Sequence, residues 1–145
     1  MFKKILVPTD GSEVGHQAAA TAAQMASESG GQVVGVYVID PFPYIGIGDA
    51  SAVGLQAYLS DAKRVAGDAL DSVASACRAK NVPFAGDTIE RNLVWEGILE
   101  TAKAEGCDLI VMGSHGRQGV KALILGSVAQ KVLTHAHIPV LIVKG

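Results

Sequence analysis

Short apolar runs alternate with longer Ala-rich segments along the whole chain. Four runs rich in Val, Ile and Leu predict strands over 4–8, 32–39, 108–112 and 139–143, and the alternating segment 84–90 predicts a fifth. Between these runs, apolar residues recur at helical spacing and predict helices over 14–26, 53–79, 94–104 and 127–134. The run over 32–39 is apolar on both faces, as in a parallel strand buried between two helical layers.

The element order is strand–helix repeated, ending on a fifth strand. This order predicts a single-domain α/β fold, a doubly wound five-stranded parallel sheet with helices on both faces. Irregular stretches, 40–52 and 113–125, interrupt the pattern. Ligands bind such sheets at the carboxyl ends of the strands where the strand order reverses. That rule points to the turns after the first and fourth strands, which begin at Thr9 and Gly113.

Composition and charge narrow the function classes. The chain has 145 residues, 49% of them hydrophobic and 18% charged, with a net charge of −2. A chain of this length is expected to form one folded domain. Because basic residues are not in excess, we predict no nucleic-acid partner. No apolar stretch reaches the roughly 18 residues of a membrane span, so we predict no membrane partner. With two cysteines and no signal-peptide pattern at the start, we expect a cytoplasmic protein.

Glycines and a helix start follow the fourth strand in an order that suits anion binding. Gly113 and Gly116 are followed, after nine residues, by Gly126 and Ser127, where a helix begins. Glycine lets backbone N–H groups approach a phosphate, and a helix start offers unpaired N–H groups with a positive dipole end. Taken singly, these residues suit a tight turn, a packing glycine and an ordinary N-cap. Together they predict a phosphate site gripped by amides of two converging turns, which a side chain at Gly113 would block without unfolding the protein.

The spacing G-x-x-G-x9-G-S is shared with a known family. On these residues, and on the segments 3–10, 36–40, 110–116 and 139–143, the sequence resembles the ATP-binding subclass of the universal stress protein family. The resemblance spans the whole chain and implies that residues 1–145 form an adenine-nucleotide-binding domain. It also implies the strand order 3-2-1-4-5.

The resemblance further implies where the nucleotide lies. Asp10 would lie near the ribose and adenine, although helix capping is its alternative role. The backbone of Val38 would meet the base, which Pro8 and Met112 would wall. The full set of implied nucleotide-binding residues is Pro8, Thr9, Asp10, Val38, Met112, Gly113, Ser114, His115, Gly116, Arg117, Gly126, Ser127 and Val128. Because both ATP and the chain are negative, we expect Arg117 and a bound Mg²⁺ to balance the phosphate charge.

We predict a nucleotide-liganded sensor or regulator in stress adaptation, with slow or no hydrolysis and no catalytic residue. Only Gln118 is near enough in sequence to orient an attacking water. His135 and His137 form an H-x-H pair without an acidic or Cys neighbour, so no metal site is predicted.

The last strand, with Val140, Leu141, Ile142 and Val143, is expected to pair with a second copy in a homodimer, as the family commonly does.

Two other functions compete. A dimeric interaction module of the same fold would bind no nucleotide. A response-regulator-like receiver would need an acidic pair beside Asp10 and an Asp after the third strand, which instead ends at Glu90.

Overall fold

A single parallel sheet organises the protein. The computed structural model describes residues 1–41, 52–115 and 125–145. Its strands are β1 (Lys4–Pro8), β2 (Gln32–Ile39), β3 (Phe84–Glu90), β4 (Leu109–Gly113) and β5 (Val140–Val143), in the order β3-β2-β1-β4-β5. The predicted fold class and strand order are confirmed, with β4 and β5 each beginning one residue later than expected. Receivers use the order 2-1-3-4-5, so the receiver alternative is wrong.

In the described ranges of the chain, four helices cover the two faces of this sheet. They are α1 (Glu13–Ser29), α2 (Ala52–Ala79), α3 (Val94–Ala104) and α4 (Ser127–His135). The side chain of Ser12 caps α1 by accepting a hydrogen bond from the Gly15 N–H at 3.1 Å. Ser12 rather than Asp10 therefore performs the capping role that the sequence allowed to either residue.

Strand alternation sends successive side chains into two separate cores. Ile5 and Val7 on β1 join the core beneath α1 and α2. Leu6, between them, joins the core beneath α3 and α4. Because successive side chains of a strand point to opposite faces, a strand with both faces covered must be apolar throughout.

The strand order reverses between β1 and β4. From β1 the sheet continues through β2 to β3 on one side, and through β4 to β5 on the other. The connections after β1 and β4 therefore leave in opposite directions and open a crevice at the carboxyl ends of these two strands. This crevice is where the sequence analysis expects the ligand.

Parts of the two irregular stretches fall outside the described residues, namely 42–51 and 116–124. The predicted site residues Gly116 and Arg117, and also Gln118, belong to the second of these. In the described part of the chain, no helix combines the length and apolar character needed to cross a membrane.

Both cysteines are packing residues in the cores. Cys77 belongs to α2 and points into the core that α1 and α2 cover, and Cys107 lies in the core beneath α3 and α4, where it is 7% exposed. Burial raises the pKa of the Cys77 thiol and raises that of Cys107 to about 11. A neutral thiol is a poor nucleophile, so neither residue is suited to covalent chemistry.

The raised pKa of Cys107 predicts a loss of stability at alkaline pH. The unfolded thiol ionises near pH 8.5, whereas the folded thiol keeps its proton until about pH 11. The folded state therefore loses about 2–3 kcal/mol of relative stability across this window, and the loss stops above it. Urea unfolding between pH 8 and pH 11 should show this extra loss in the wild type relative to Cys107→Ala. Parallel pH profiles for the two proteins would contradict the prediction.

Candidate functional site

A cleft of about 370 Å³ lies at the carboxyl ends of β1 and β4, between the start of α1 and the helices α3 and α4. Ten of the predicted site residues line it: Pro8, Thr9, Asp10, Val38, Met112, Gly113, His115, Gly126, Ser127 and Val128. Ser114 lies behind the lining and is 3% exposed. The structure therefore gathers residues from both ends of the chain into one concave surface.

The turn after β1 is built from side chains that bind their own backbone. Thr9 Oγ1 accepts a hydrogen bond from the Gly11 N–H at 3.2 Å, and Asp10 Oδ1 accepts one from the Ser12 N–H at 2.9 Å. Such turns hold the backbone without help from a ligand. Asp10 is thereby fixed at the rim of the cleft, half-buried.

The turn after β4 meets the start of α4 directly. The Gly126 N–H donates a hydrogen bond to the carbonyl oxygen of Ser114 at 2.7 Å. The Ser114 N–H in turn donates to the carbonyl oxygen of Val143 on β5 at 2.8 Å. The two turns converge as expected, but the predicted phosphate donors Ser114 N–H and Gly126 N–H are already paired inside the protein.

Open amide donors remain at the first turn of α4. The helix has no earlier carbonyl to accept from the N–H groups of Ser127, Val128 and Ala129, and its N-cap, Gly126, has no side chain to offer. Together with the helix dipole, these groups make a local positive end beside the cleft. Among the described residues, the donor set is therefore narrower than predicted and is concentrated on one helix.

Gly126 suits the close approach of the two turns. A Cβ atom there would lie 3.1 Å from the carbonyl oxygen of Ser114 and 3.2 Å from Cα of His115. Both neighbours are backbone atoms, which cannot swing aside as a long side chain can. Its φ of −64° suits any residue, so proximity and not backbone strain is the constraint.

Gly113 has a packing role besides its place in the cleft lining. A Cβ atom there would lie 2.5 Å from Cγ1 of Val14, on the buried side of α1. A side chain at Gly113 would therefore press on α1 as well as face the cleft, and the expectation that it blocks a ligand while sparing the fold stays a prediction. This glycine lets α1 pack closely on β4.

Most of the cleft wall is apolar, and sequence reasoning found only part of it. Besides Pro8, Val38 and Met112, the wall includes Val36 on β2 and the α3 residues Val94 and Ile98. Alternation within β2 places Val36 on the same face as Val38, and a spacing of four places Val94 and Ile98 on one face of α3. These periodicities could have identified all three. The lining also includes Ser12, Gly15, Tyr37 and Ala129.

Charge within the described lining is sparse. Asp10 contributes a carboxylate and His115 an imidazole, while Lys and Arg are absent from the lining residues that the structure describes. Among the described residues, no group of three or more His, Cys, Asp or Glu side chains could hold a metal ion. The described surface thus offers hydrogen bonds and apolar contacts more than ionic ones.

Comparison of the sequence with protein families agrees with this architecture. The model of the universal stress protein family matches residues 1–144. The chain belongs to the universal stress protein family. It is similar to the universal stress protein MJ0531 of Methanocaldococcus jannaschii, with 37% identity over 145 residues that cover 99% of this chain and 83% of the relative.

Solved structures show the same fold. The structure of MJ0577, also from Methanocaldococcus jannaschii, has a TM-score of 0.85 and 26% identity over 99% of this chain and 96% of that one. A universal stress protein from Archaeoglobus fulgidus, solved in complex with dAMP, has a TM-score of 0.70 and 22% identity, covering 98% of both chains.

The contact between Gly113 and Val14 predicts a compensating pair of substitutions. Gly113→Ala should lower the free energy of unfolding by about 1–3 kcal/mol, because the new methyl group overpacks against Val14. Combining it with Val14→Ala should cost less than the sum of the single changes, because the smaller side chain makes room. Urea denaturation of the wild type, the two single variants and the double variant measures the coupling energy between positions 113 and 14.

Gly67 on α2 provides the matched control, because a Cβ atom there meets nothing within 4 Å. Gly67→Ala should raise stability by about 0.5–1 kcal/mol. Additive effects at Gly113 and Val14 would show that α1 and β4 are not in steric contact there.

Proposed function

We propose that the cleft binds an adenine nucleotide, ATP with Mg²⁺, and that this universal stress protein acts as a nucleotide-liganded sensor or regulator in stress adaptation. The observation that carries the proposal is the start of α4, where three open amides stand beside an apolar wall at the strand-order reversal. A phosphate suits the amides and a purine base suits the wall.

The phosphate end of the ligand lies at α4. The N–H groups of Ser127, Val128 and Ala129 donate to phosphate oxygens, and the Ser127 hydroxyl adds a further donor. His115 borders the same end of the cleft. Gly116 and Arg117, which lie outside the described residues, remain predicted contacts for the rest of the polyphosphate.

The base end lies between the sheet and α3. Val38, Met112 and Pro8 form its wall, with Val94 and Ile98 opposite on α3. Asp10 stands at the rim, where its carboxylate can accept hydrogen bonds from ribose hydroxyls. The dAMP bound by the Archaeoglobus protein supports an adenine nucleotide as the ligand class.

Binding rather than turnover is the proposed role. Among the described lining residues, Asp10 supplies the one carboxylate. Its Oδ1 already accepts a hydrogen bond from the Ser12 N–H within its own turn. Fast hydrolysis needs a group that positions water against the terminal phosphate, as well as charge stabilisation there. A ligand that is held and not consumed instead shifts the protein toward the conformation that binds it best.

Nucleotide binding should depend on Gly126. We expect ATP with Mg²⁺ to bind the wild type with a Kd in the micromolar range. This corresponds to a binding free energy on the order of −7 to −8 kcal/mol. Gly126→Ala should weaken binding at least about tenfold, because the new methyl group forces α4 away from Ser114 and moves the open amides. Isothermal titration calorimetry measures both constants.

The Gly67→Ala variant serves again as the control, since its methyl group lies in open space far along α2 and should leave the Kd unchanged. Weaker than millimolar binding of ATP, AMP and dAMP to the wild type would refute the proposed function. It would favour the nucleotide-free interaction module.

We also propose that the protein is a homodimer paired through β5. This strand lies at the edge of the sheet, and its Leu141 side chain is 37% exposed. An exposed apolar edge strand is a template for pairing with another strand. Antiparallel pairing of two copies would cover Val140, Leu141, Ile142 and Val143 together.

A charge on this edge should separate the copies. Leu141→Lys places an ammonium group where two apolar strands would meet, and it should convert the dimer to a monomer at micromolar concentration. Size-exclusion chromatography with light scattering gives the mass directly. Thr134→Lys, an exposed change on α4, controls for added charge. A monomeric wild type would refute this assembly.

A further inference from the structure

The helix that carries the open amides is held at its far end by an aromatic contact. His135, the last residue of α4, stacks on Trp95 of α3 with ring centroids 4.5 Å apart and an angle of 19° between the ring planes. Offset stacking at this separation is favourable for aromatic rings. Ser127 at the other end of α4 lies about 12 Å away along the helix axis.

Trp95 belongs to the same helix that forms one wall of the cleft. Val94 and Ile98 face the cleft from α3, and Trp95 directly follows Val94 in the chain. One rigid element thus contacts the ligand space on one side and the end of α4 on the other. A displacement of α4 relative to α3 would change the distance between the apolar wall and the open amides.

Two tethers therefore fix the direction of α4 beyond the packing of its buried residues. At its start, the Gly126 N–H binds the Ser114 carbonyl. At its end, the His135 ring lies on Trp95. A helix held by contacts at both ends keeps its orientation, whereas a helix held at one end can pivot about that contact.

We propose that Trp95 and His135 form a clasp that positions the α4 amides for nucleotide binding. The inference rests on the proposed function. Both are positioning residues, since neither lines the cleft. With the clasp in place, the amides of Ser127, Val128 and Ala129 present a preformed arrangement. Without it, part of the binding energy is spent on reorienting the helix.

The fold does not depend on the His135 ring. His135 is exposed, and the core contacts of α4 come from Ala129 and Val132, which are buried. Variants at His135 should therefore fold, so that affinity can be measured separately from stability. His137, another exposed histidine two residues away, provides a matched control for the loss of an imidazole.

The test compares the wild type with His135→Ala, His135→Phe and His137→Ala by titration with ATP and Mg²⁺. His135→Ala should raise the Kd about two- to tenfold, the range that one aromatic pair supports. His135→Phe restores a ring and should return the Kd to within about twofold of the wild type. His137→Ala should have no effect.

Fluorescence gives a second readout, because Trp95 is the one tryptophan of the chain. Because the clasp already holds α4 in its binding position, nucleotide should change the Trp95 emission little in the wild type and in His135→Phe, and change it more in His135→Ala, where the helix must reorient. If the wild type binds nucleotide and His135→Ala binds it equally well, even with a lower melting temperature, the clasp is overturned and the proposed function stands. If the wild type binds no nucleotide, both are overturned.

Discussion

The hydrogen bond from the Gly126 N–H to the Ser114 carbonyl is the contact on which the site depends. It joins the turn after β4 to the start of α4 so closely that a side chain at position 126 would crowd backbone atoms of Ser114 and His115. The bond uses one amide that could otherwise have faced a ligand. In exchange it fixes where the next three amides lie, and a fixed set of donors binds better than a larger set that must first be ordered.

The strand order decides that this contact borders a cleft. Because β1 and β4 are neighbours whose connections lead to opposite sides of the sheet, a cleft lined by described residues of both turns lies at their carboxyl ends. The core beneath α3 and α4 continues into that space through Met112, which belongs to both the core and the cleft wall. The apolar wall is thus an extension of the core, shaped by the same strand alternation that buries Leu6 and Ile110.

Sequence reasoning predicted the elements and the sheet from periodicity, and it predicted the strand order and most of the cleft residues from the family resemblance. It could not predict which amides are free, because the partner of the Ser114 N–H is the carbonyl of Val143, on a strand that only the folded sheet brings alongside. The role of Gly113 was hidden for the same reason, since the atom it avoids belongs to Val14, near the other end of the chain. A glycine required by packing and one required by a ligand look identical in a sequence, and only the neighbours of the missing Cβ separate them.

A site built from amides selects its ligand by position more than by charge. Coulomb attraction to a side-chain cation acts over several ångströms, but a hydrogen bond weakens steeply once its distance and angle depart from the optimum. The described cleft adds no lysine or arginine to soften that requirement, and a chain with a net charge of −2 does not attract an anion from afar. If the cleft holds phosphate as proposed, its affinity would depend on the placement of α4, and contacts that orient this helix, even those remote from the ligand, would matter as much as the donors themselves.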